Sequence, residues 1–345
     1  MKFSYAIGNP PYQKEVGTKD LKNGVDVRVQ SIFNLFQLEA DKICNVSCLI
    51  YPGAGWIQAY RNGLQKFGKE QINDPHLKAL YYWPNANEVF TNVSIGDGVS
   101  VVIKDGQKTD NNFAYIYISN GKKHQVRCSS PGDELFILNP SDRSIIDKMR
   151  LFVKTYNMKY IDYRVKGNSG GKSIFGIASN FVEKHQDLVR EYDNKPLASN
   201  EIKLLTNDKS GKVGRAKWYV IDKKHIPSKH ELFDKYKVVS TGTLQLELLE
   251  PNAAFGRSRS LMGYFGTFDE ASNYMNYLSS KFCTFTLNLT HGGANLGKLT
   301  PDLLDYTSAN TIINWTKDID EQLYKVLGLA EEEIKHICDT VDKAV

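Results

Sequence analysis

The sequence has few cysteines and no grouping of metal-ligating side chains. Its 345 residues include five cysteines, at positions 44, 48, 128, 283 and 338, and seven histidines. An odd and scattered set of cysteines argues against a disulfide framework. Cys44 and Cys48 are one residue further apart than the usual pair of a zinc ribbon, and the histidines form no cluster. We therefore expect reduced, buried thiols and no metal site.

Long apolar segments are also absent. No run approaches the roughly 20 apolar residues that a membrane helix needs. The N-terminus lacks the charged-then-apolar pattern of a signal peptide. Hydrophobic residues make up 41% and charged residues 24% of the chain, which is ordinary for a globular protein. The sequence predicts a globular, cytoplasmic protein with no membrane segment.

Charge is unevenly distributed along the chain. Residues 1–110 hold 12 Lys/Arg and 11 Asp/Glu, residues 111–240 hold 24 and 14, and residues 241–345 hold 8 and 14. A basic middle third is typical of a surface that binds phosphates. Solvated lysines with no binding role would give the same count, so the charge alone leaves both interpretations open.

Strand and helix patterns alternate over the first hundred residues. Strands are predicted at Phe3–Ile7, Val46–Tyr51 and Leu77–Trp83, and helices at Val25–Ala40 and Gln58–Phe67. Residues 93–104, with Gly96 and Gly98, predict a hairpin or a bulged strand. The alternation is typical of an α/β sheet with crossover connections.

The pattern changes after about residue 110. Apolar runs separated by polar loops are followed by predicted helices at Ile145–Tyr156 and Phe268–Lys281, the second entered through Thr267. Two helices broken at Gly328 end the chain. We expect an α/β protein with a partial doubly wound, Rossmann-like sheet over residues 1–110, followed by a mixed α/β region over residues 111–345.

The most informative segment is Asn9-Pro10-Pro11-Tyr12, directly after the first predicted strand. Asn9 offers a side-chain carbonyl, and Pro10 offers a backbone carbonyl without an N–H group. Two prolines stiffen the loop, so these acceptors need not reorganise during a reaction. They suit the exocyclic amino group of adenine, and Tyr12 could stack on a base turned out of the duplex. Ligands of open α/β sheets bind beyond the carboxyl ends of strands, where this loop lies.

The segment FSYAIGNPPYQ resembles the catalytic motif of type II restriction–modification N6-adenine DNA methyltransferases. Other stretches similar to that family are SIFNLFQLEADKI with VSCLIYPGAGW, WPNANEVFTNVSIGDGVSVVIK, IFGIASNF and WTKDIDEQLYKVLGLAEEEIKHI. The resemblance implies catalytic roles for Asn9, Pro10, Pro11 and Tyr12, with Phe90 on the other face of the flipped base. It also implies S-adenosylmethionine as methyl donor, double-stranded DNA as substrate, and a target-recognition region over residues 111–345.

The family places its cofactor-binding strands before this motif, but only eight residues precede Asn9. The resemblance therefore implies an incomplete cofactor site, with a partner chain as the source of the missing half. A permuted arrangement would need that half downstream. Its best candidate, the strand-like run at residues 282–297, lacks a Gly-x-Gly with an acidic residue at a suitable distance. Without neighbouring strands, the first strand would leave an apolar edge exposed.

Basic residues in the middle third are the candidates for contacts with DNA phosphates. Gly170-Gly171-Lys172-Ser173 is not a P-loop, because Lys166 stands where that motif needs glycine. We interpret this stretch as a loop that could lie on the DNA backbone. The DNA-binding candidates are Lys166, Lys172, Lys209, Lys212, Arg215 and Lys217.

The resemblance implies site-specific adenine-N6 methylation within a restriction–modification system, performed together with a partner chain. The isolated chain is expected to have little activity. The main alternative is a non-catalytic DNA-recognition subunit, or a truncated remnant of such an enzyme. A methyltransferase that acts on RNA or protein is a third interpretation, because related loops serve glutamine and guanine amino groups.

Overall fold

A computed structural model describes residues 2–21, 24–59, 61, 63–92, 95–161, 171–210, 215–241, 245–290 and 302–342. The chain divides into two compact units, Met1–Ser144 and Ile145–Val345. Each unit has its own sheets, and we describe each by itself.

The first unit contains the following elements. Its strands are β1 (Phe3–Gly8), β2 (Gln13–Leu21), β3 (Gly24–Ser31), β4 (Cys44–Pro52), β5 (Leu77–Trp83), β6 (Val99–Asp105), β7 (Asn112–Ser119) and β8 (Lys122–Ser129). Its helices are α1 (Phe33–Ile43), α2 (Ala54–Ile57) and α3 (Gln65–Ile72), with a 3-10 turn at Ala86–Glu88. Helix α4 (Pro140–Tyr156) carries the chain into the second unit. The division after Ser144 lies later than the boundary expected near residue 110, because β7 and β8 continue the first sheet.

One six-stranded sheet, in the order β1-β4-β6-β5-β7-β8, organises the first unit. Strand β1 is parallel to β4 and β5 is parallel to β7, whereas β6 runs antiparallel to both β4 and β5. The carboxyl ends of β1, β4, β5 and β7 therefore lie at the same edge of the sheet, which we call the carboxyl edge. The parallel pair β1–β4, joined through α1, confirms the predicted α/β class.

The core of this unit lies on the face of the sheet against which α1 packs. Phe33 of α1 stacks on Tyr51 of β4 with ring centroids 4.8 Å apart, and Tyr51 meets Trp56 edge-on at 5.5 Å. On β1, by contrast, the alternating side chains Phe3, Tyr5 and Ile7 are 67%, 68% and 81% exposed. Among the described strands β1 is also the last in the sheet, which agrees with the exposed apolar edge expected for the first strand.

Three local predictions in this unit were wrong. Residues 24–31 form strand β3, paired with β2, and the helix begins only at Phe33. Valines at 25, 27 and 29 alternate with polar residues, which is the period of a strand. The helix predicted at 58–67 lies at Gln65–Ile72. The segment around Gly96 and Gly98 is a turn before the single strand β6, and Gly98 has φ 70°.

The second unit is built on two small sheets. Its strands are β9 (Val189–Glu191), β10 (Glu201–Asn207), β11 (Ala216–Asp222), β12 (Tyr236–Ser240), β13 (Leu246–Leu249), β14 (Ala253–Phe255) and β15 (Ser260–Phe265). The sheet orders are β14-β10-β11-β9 and β13-β12-β15. Its helices are α5 (Phe181–Lys184), α6 (Phe268–Leu278), α7 (Lys281–Thr290), α8 (Tyr306–Ala309), α9 (Ile319–Val326) and α10 (Glu331–Asp342), and 3-10 turns lie at Gln186–Leu188, Lys223–His225 and His230–Leu232.

Two predictions for the second unit agree with the structure, and one was wrong. Thr267 accepts a hydrogen bond from the Glu270 N–H group while Glu270 caps it in return, so α6 begins where predicted. Gly328, at φ 60°, separates α9 from α10 as expected. The strand-like run from residue 282 is instead helix α7 up to Thr290, and residues 291–297 lie outside the described residues. Within the described parts of the chain, no helix is long and apolar enough to cross a membrane.

Candidate active site at the carboxyl edge of the first sheet

The loop Asn9–Tyr12 leaves the end of β1 at the carboxyl edge. Gly8, the last residue of β1, lies beside Leu49 in the parallel pairing with β4. Asn9 and Pro11 are exposed, and Pro10 is half-buried. Within the described part of the chain, no hydrogen bond engages the Asn9 carboxamide or the Pro10 carbonyl. The Asn9 side chain is thus exposed, and neither acceptor is engaged by another described residue.

Tyr12 joins this loop to the first helix. Its carbonyl oxygen accepts a 3.1 Å hydrogen bond from the Ile32 N–H group, one residue before α1 begins. Its ring packs half-buried against the core of the first unit. The Tyr12 hydroxyl is buried without a hydrogen-bond partner in the structure, and burial raises the pKa of Tyr12. The side-chain oxygen of Asn34, in the first turn of α1, is likewise buried and unpartnered.

A tight turn after β4 lies next to this loop along the carboxyl edge. The Gly53 N–H group donates to the Gly98 carbonyl oxygen at 3.1 Å, and Ala54 donates to the Asp97 oxygen at 2.8 Å. A Cβ atom on Gly53 would lie 2.4 Å from the Tyr82 ring, so only glycine fits. Trp56 is fully buried and donates to the Ser100 hydroxyl at 3.1 Å. This turn gives the edge a rigid floor.

Phe90 lies on the segment that follows β5, also at the carboxyl edge. Its N–H group donates to the Ala86 carbonyl oxygen at 2.9 Å, and its ring is half-buried. Strands are about 4.8 Å apart, so the ends of β1 and β5 are separated by about 14 Å along the sheet. The order of strands therefore places Phe90 and Tyr12 at the same edge of the sheet, with two strands, β4 and β6, between their own.

The described DNA-binding candidates gather at one end of the first sheet of the second unit. Lys209, Arg215 and Lys217 lie at the end of the β10–β11 hairpin and are exposed. Lys217 is 3.4 Å from Glu191, so its charge is partly balanced. Lys172 is also exposed. It lies near the same end of the sheet, because the neighbouring Ser173 donates to the Phe255 carbonyl oxygen and Phe255 pairs with Leu205 of β10. Lys166 and Lys212 lie outside the described residues.

In the described ranges, no three or more His, Cys, Asp or Glu residues come together as a metal site would require. The nearest arrangement of acids in the basic region is held by Arg190, which contacts Glu201 at 3.1 Å and Asp193 at 3.6 Å.

Sequence reasoning missed one feature of this edge, the β7–β8 turn. Glu88 accepts hydrogen bonds from the N–H groups of Asn120 and Gly121, both at 3.1 Å. The Asn-Gly pair between two strand-like runs is the strongest short hairpin signal, and it would have located the turn. Nothing local in the sequence ties Glu88 to it, since 32 residues separate Glu88 from Asn120.

One known protein family matches the N-terminal part of the sequence. Residues 1–90 match the Eco57I restriction–modification methylase family. The match covers the Asn-Pro-Pro-Tyr loop, the β4 turn and Phe90, and the remaining 255 residues lie outside it. No curated protein matches the sequence.

Several solved structures are similar in part. The methyltransferase subunit of a type I restriction–modification system from Streptococcus thermophilus shares 15% identity over 34% of this chain and 26% of its own, with a TM-score of 0.25. The type IIG restriction endonuclease BpuSI shares 10% over 86% and 44%, with a TM-score of 0.37. The type IIL restriction–modification enzyme MmeI, solved with DNA, shares 9% over 99% and 54%, also at 0.37. The chain thus spans about a quarter to a half of these proteins.

Proposed function

We propose that this chain is the part of a DNA adenine-N6 methyltransferase that holds the amino-group-binding loop and the target-recognition region, within a restriction–modification system. The observation that carries the proposal is the position of Asn9–Tyr12. This loop follows a strand at the carboxyl edge, presents two unengaged acceptors among the described residues, and falls within the segment that matches the methylase family. Such an enzyme would act on double-stranded DNA, in the cytoplasm.

The chemistry of the loop follows from its acceptors. The adenine amino nitrogen is a weak nucleophile because its lone pair is delocalised into the ring. The Asn9 side-chain oxygen and the Pro10 carbonyl oxygen would each accept one of its hydrogens, which holds the nitrogen in line with the methyl donor. Because the prolines fix the loop, these dipoles are oriented before the reaction begins. No metal and no covalent enzyme intermediate are required.

The aromatic residues of the edge would hold the base. Tyr12 would stack on one face of an adenine turned out of the duplex, and Phe90 would close on the other. The separation of the β1 and β5 ends means that the segment carrying Phe90 has to reach across the β4 turn to the base. Base–aromatic stacking contributes about 1–3 kcal/mol per base.

S-adenosylmethionine would supply the methyl group when bound, and the described residues would form one side of its site. Asn9–Tyr12 would face the transferred methyl. The strand, glycine-rich loop and acidic residue that hold the rest of the cofactor are not found among the described residues. Residues 282–290, the downstream candidate, are helical, which removes the strand that a permuted site would need.

The free side of β1 is where the remaining strands would lie. In a doubly wound sheet the two halves meet at the switch point beside which the ligand binds. Strand β1 pairs only with β4 among the described strands, and Phe3, Tyr5 and Ile7 are largely exposed on it. We propose that a partner chain, or another segment of a longer chain, adds parallel strands here and completes the cofactor site.

The second unit would recognise the DNA target. Lys172, Lys209, Arg215 and Lys217 share one end of its first sheet, and Lys166 and Lys212 would add to this surface. Phosphate contacts of this kind set orientation and affinity, whereas the target sequence is read by other side chains.

Two measurements test the proposal together. The first is calorimetric titration of the chain with S-adenosylmethionine, alone and with the product of the neighbouring upstream gene; we expect binding only with the partner. The second is transfer of labelled methyl groups to duplex DNA by the reconstituted pair. Asn9→Ala should lower the rate by about 100- to 1,000-fold, by analogy with the loss of one preorganised donor from an oxyanion hole. Asn45→Ala is the matched control, because Asn45 is exposed near the start of β4, at the opposite edge of the sheet, and it should leave the rate unchanged.

Other outcomes point to the alternatives. Cofactor binding by the chain alone would contradict the split site. Duplex binding without cofactor binding or methyl transfer in either arrangement would identify a non-catalytic DNA-recognition subunit or a remnant. Methyl transfer to RNA or protein in preference to duplex DNA would show that the substrate is not DNA and would support the third interpretation.

A further inference from the structure

A basic turn in the first unit lies outside every DNA-binding candidate found from the sequence. Strand β7 runs parallel to β5 and antiparallel to β8, so the β7–β8 turn emerges at the carboxyl edge, as Asn9–Tyr12 does. Lys122, Lys123 and His124 follow the turn and are all exposed. Across the described part of the chain, no carboxylate forms an ion pair with Lys122 or Lys123.

The turn itself is rigid. Asn120 and Gly121 have φ values of 52° and 70°, and this pair of positive angles defines a type I′ hairpin turn. Both of their N–H groups donate to the Glu88 carboxylate at 3.1 Å. Glu88 ends the 3-10 turn that precedes Phe90. One carboxylate therefore fixes the basic turn to the segment that carries Phe90.

The distance along the sheet suits a duplex. Five strand spacings of about 4.8 Å separate β1 from β8, so Asn9 and the basic turn are at most about 24 Å apart along the edge. A duplex rises 3.4 Å per base pair, so this span corresponds to about seven base pairs. A duplex lying across the carboxyl edge could present one base to Asn9–Tyr12 and its backbone phosphates to the turn.

Edge protection is the other role that lysines can have in an outer strand, since charges discourage pairing with further strands. That role is served by charge anywhere along β8, including Arg127 near its far end. It does not require the bidentate anchoring of the turn by Glu88.

We propose that Asn120–His124 is a contact for the phosphate backbone of duplex DNA, and that Glu88 is the positioning residue that holds this contact in register with the Phe90 segment. The inference rests on the proposed duplex DNA substrate. It does not depend on methyl transfer or on the cofactor half.

The test uses the full chain and a fluorescent 30-base-pair duplex of mixed sequence, with affinity measured by anisotropy between 50 and 200 mM NaCl. Each phosphate contact contributes about 0.9 to the slope of log affinity against log salt. Lys122→Ala with Lys123→Ala should therefore lower the slope by about 1.8. The wild-type affinity would then fall about 12-fold more than that of the variant over this salt range.

The control removes two lysines from the opposite edge of the same sheet. Lys42, at the end of α1, and Lys78, in β5, are exposed and carry the same charge. Lys42→Ala with Lys78→Ala should leave the slope unchanged, because these side chains would face away from the duplex. An equal loss of slope in both double variants would show a non-directional charge effect and overturn the inference.

Glu88→Ala distinguishes a positioning role of Glu88 from a purely electrostatic one, because the two roles change the duplex affinity in opposite directions. Removing a negative charge near the DNA should strengthen binding if Glu88 acts only through its charge. If Glu88 holds the turn, the variant should bind the duplex more weakly, and Glu88→Gln, which keeps one acceptor oxygen, should recover part of the loss. Thermal unfolding of both variants checks that the fold is intact.

The outcomes distinguish this inference from the proposed function. Duplex binding with a wild-type slope in the Lys122/Lys123 variant would overturn the turn contact alone. A wild-type chain without salt-dependent duplex affinity would overturn both the contact and the proposed substrate. A lowered slope with no methyl transfer by the reconstituted pair would leave the contact standing and contradict the proposed activity.

Discussion

The N–H group of Ile32 donates a 3.1 Å hydrogen bond to the carbonyl oxygen of Tyr12, across the whole β2–β3 hairpin. The bond closes the hairpin at its base and fixes the end of the Asn-Pro-Pro-Tyr loop to the start of α1. The other end of the loop is fixed by the pairing of Gly8 with Leu49. A loop held at both ends keeps its acceptors in place, which the proposed methyl transfer would need.

Tyr12 gives the first prediction, because its hydroxyl affects stability whereas its ring affects base binding. Tyr12→Phe removes a buried hydroxyl that has no partner, so the free energy of unfolding should rise by about 1 kcal/mol. The ring remains, and duplex methylation should stay near wild type. Tyr12→Leu is the comparison: it keeps apolar packing but removes the stacking surface, which should weaken base binding by about 1–3 kcal/mol. Urea unfolding and methyl-transfer rates measure the two effects, and a destabilised Tyr12→Phe would show that the hydroxyl is satisfied in solution.

Gly53 gives a second prediction about the floor of the site. A Cβ atom there would lie 2.4 Å from the Tyr82 ring and 3.0 Å from the Asp97 carbonyl oxygen. Gly53→Ala should therefore lower the free energy of unfolding by about 1–3 kcal/mol, as overpacking usually does. Gly96→Ala is the matched control on the same edge, because nothing lies within 4 Å of the added carbon. Chemical denaturation of both variants checks this, and equal stabilities would contradict the close packing of the turn.

Lys237 gives a prediction of pH dependence for the second unit. Its side chain is fully buried, its ammonium group donates to the Leu232 carbonyl oxygen at 2.7 Å, and desolvation lowers its pKa from 10.5 to about 8. Between those two pH values the unfolded chain binds the proton and the folded chain releases it. Stability should therefore rise with pH through this window.

The magnitude follows from the size of that shift. Wild type should gain up to about 3 kcal/mol between pH 7.5 and 10.5 relative to Lys237→Met, which has no proton to release. Unfolding by urea at several pH values gives the difference, and other titrating groups cancel because both proteins share them. Lys235→Met, two residues away and partly exposed, should follow wild type. Parallel curves for wild type and Lys237→Met would contradict the lowered pKa.

The elements that the sequence located well are those whose signals are local. Strand β5 was predicted at its observed bounds, since LKALYYW is an apolar and aromatic run bounded by turn residues. The start of helix α6 was predicted from Thr267 alone, and the structure shows that Thr267 forms a capping box with Glu270 within four residues. The loop after β1 was also recognised locally, from four consecutive residues.

The errors arose where a local pattern fitted two structures. The spacing of apolar residues suggested one long helix over residues 25–40, but residues 24–31 form strand β3, which pairs with β2. The run from residue 282 is rich in β-branched and aromatic residues, yet it is buried as a helix in the second unit, where packing overrides propensity. The Glu88 contact with the β7–β8 turn depends on the sheet order, which no local pattern contains.

The contrast between the two edges of the first sheet gives the last prediction. Strand β8 carries the charged residues Lys122, Lys123 and Arg127 at one edge of the sheet, whereas β1 carries exposed Tyr5 and Ile7 at the other. If β1 is the docking edge for the cofactor half, Ile7→Lys should weaken association with the partner at least about tenfold, because it places a charge in a buried apolar contact. The isolated chain should lose little stability, since Ile7 is 81% exposed.

Val126→Lys, on β8, is the matched control and should leave association unchanged. Calorimetry with the upstream gene product measures both affinities. Equal affinities for the two variants would place the partner elsewhere, and concentration-dependent self-association that disappears only in Ile7→Lys would show that a second copy of this chain occupies the edge.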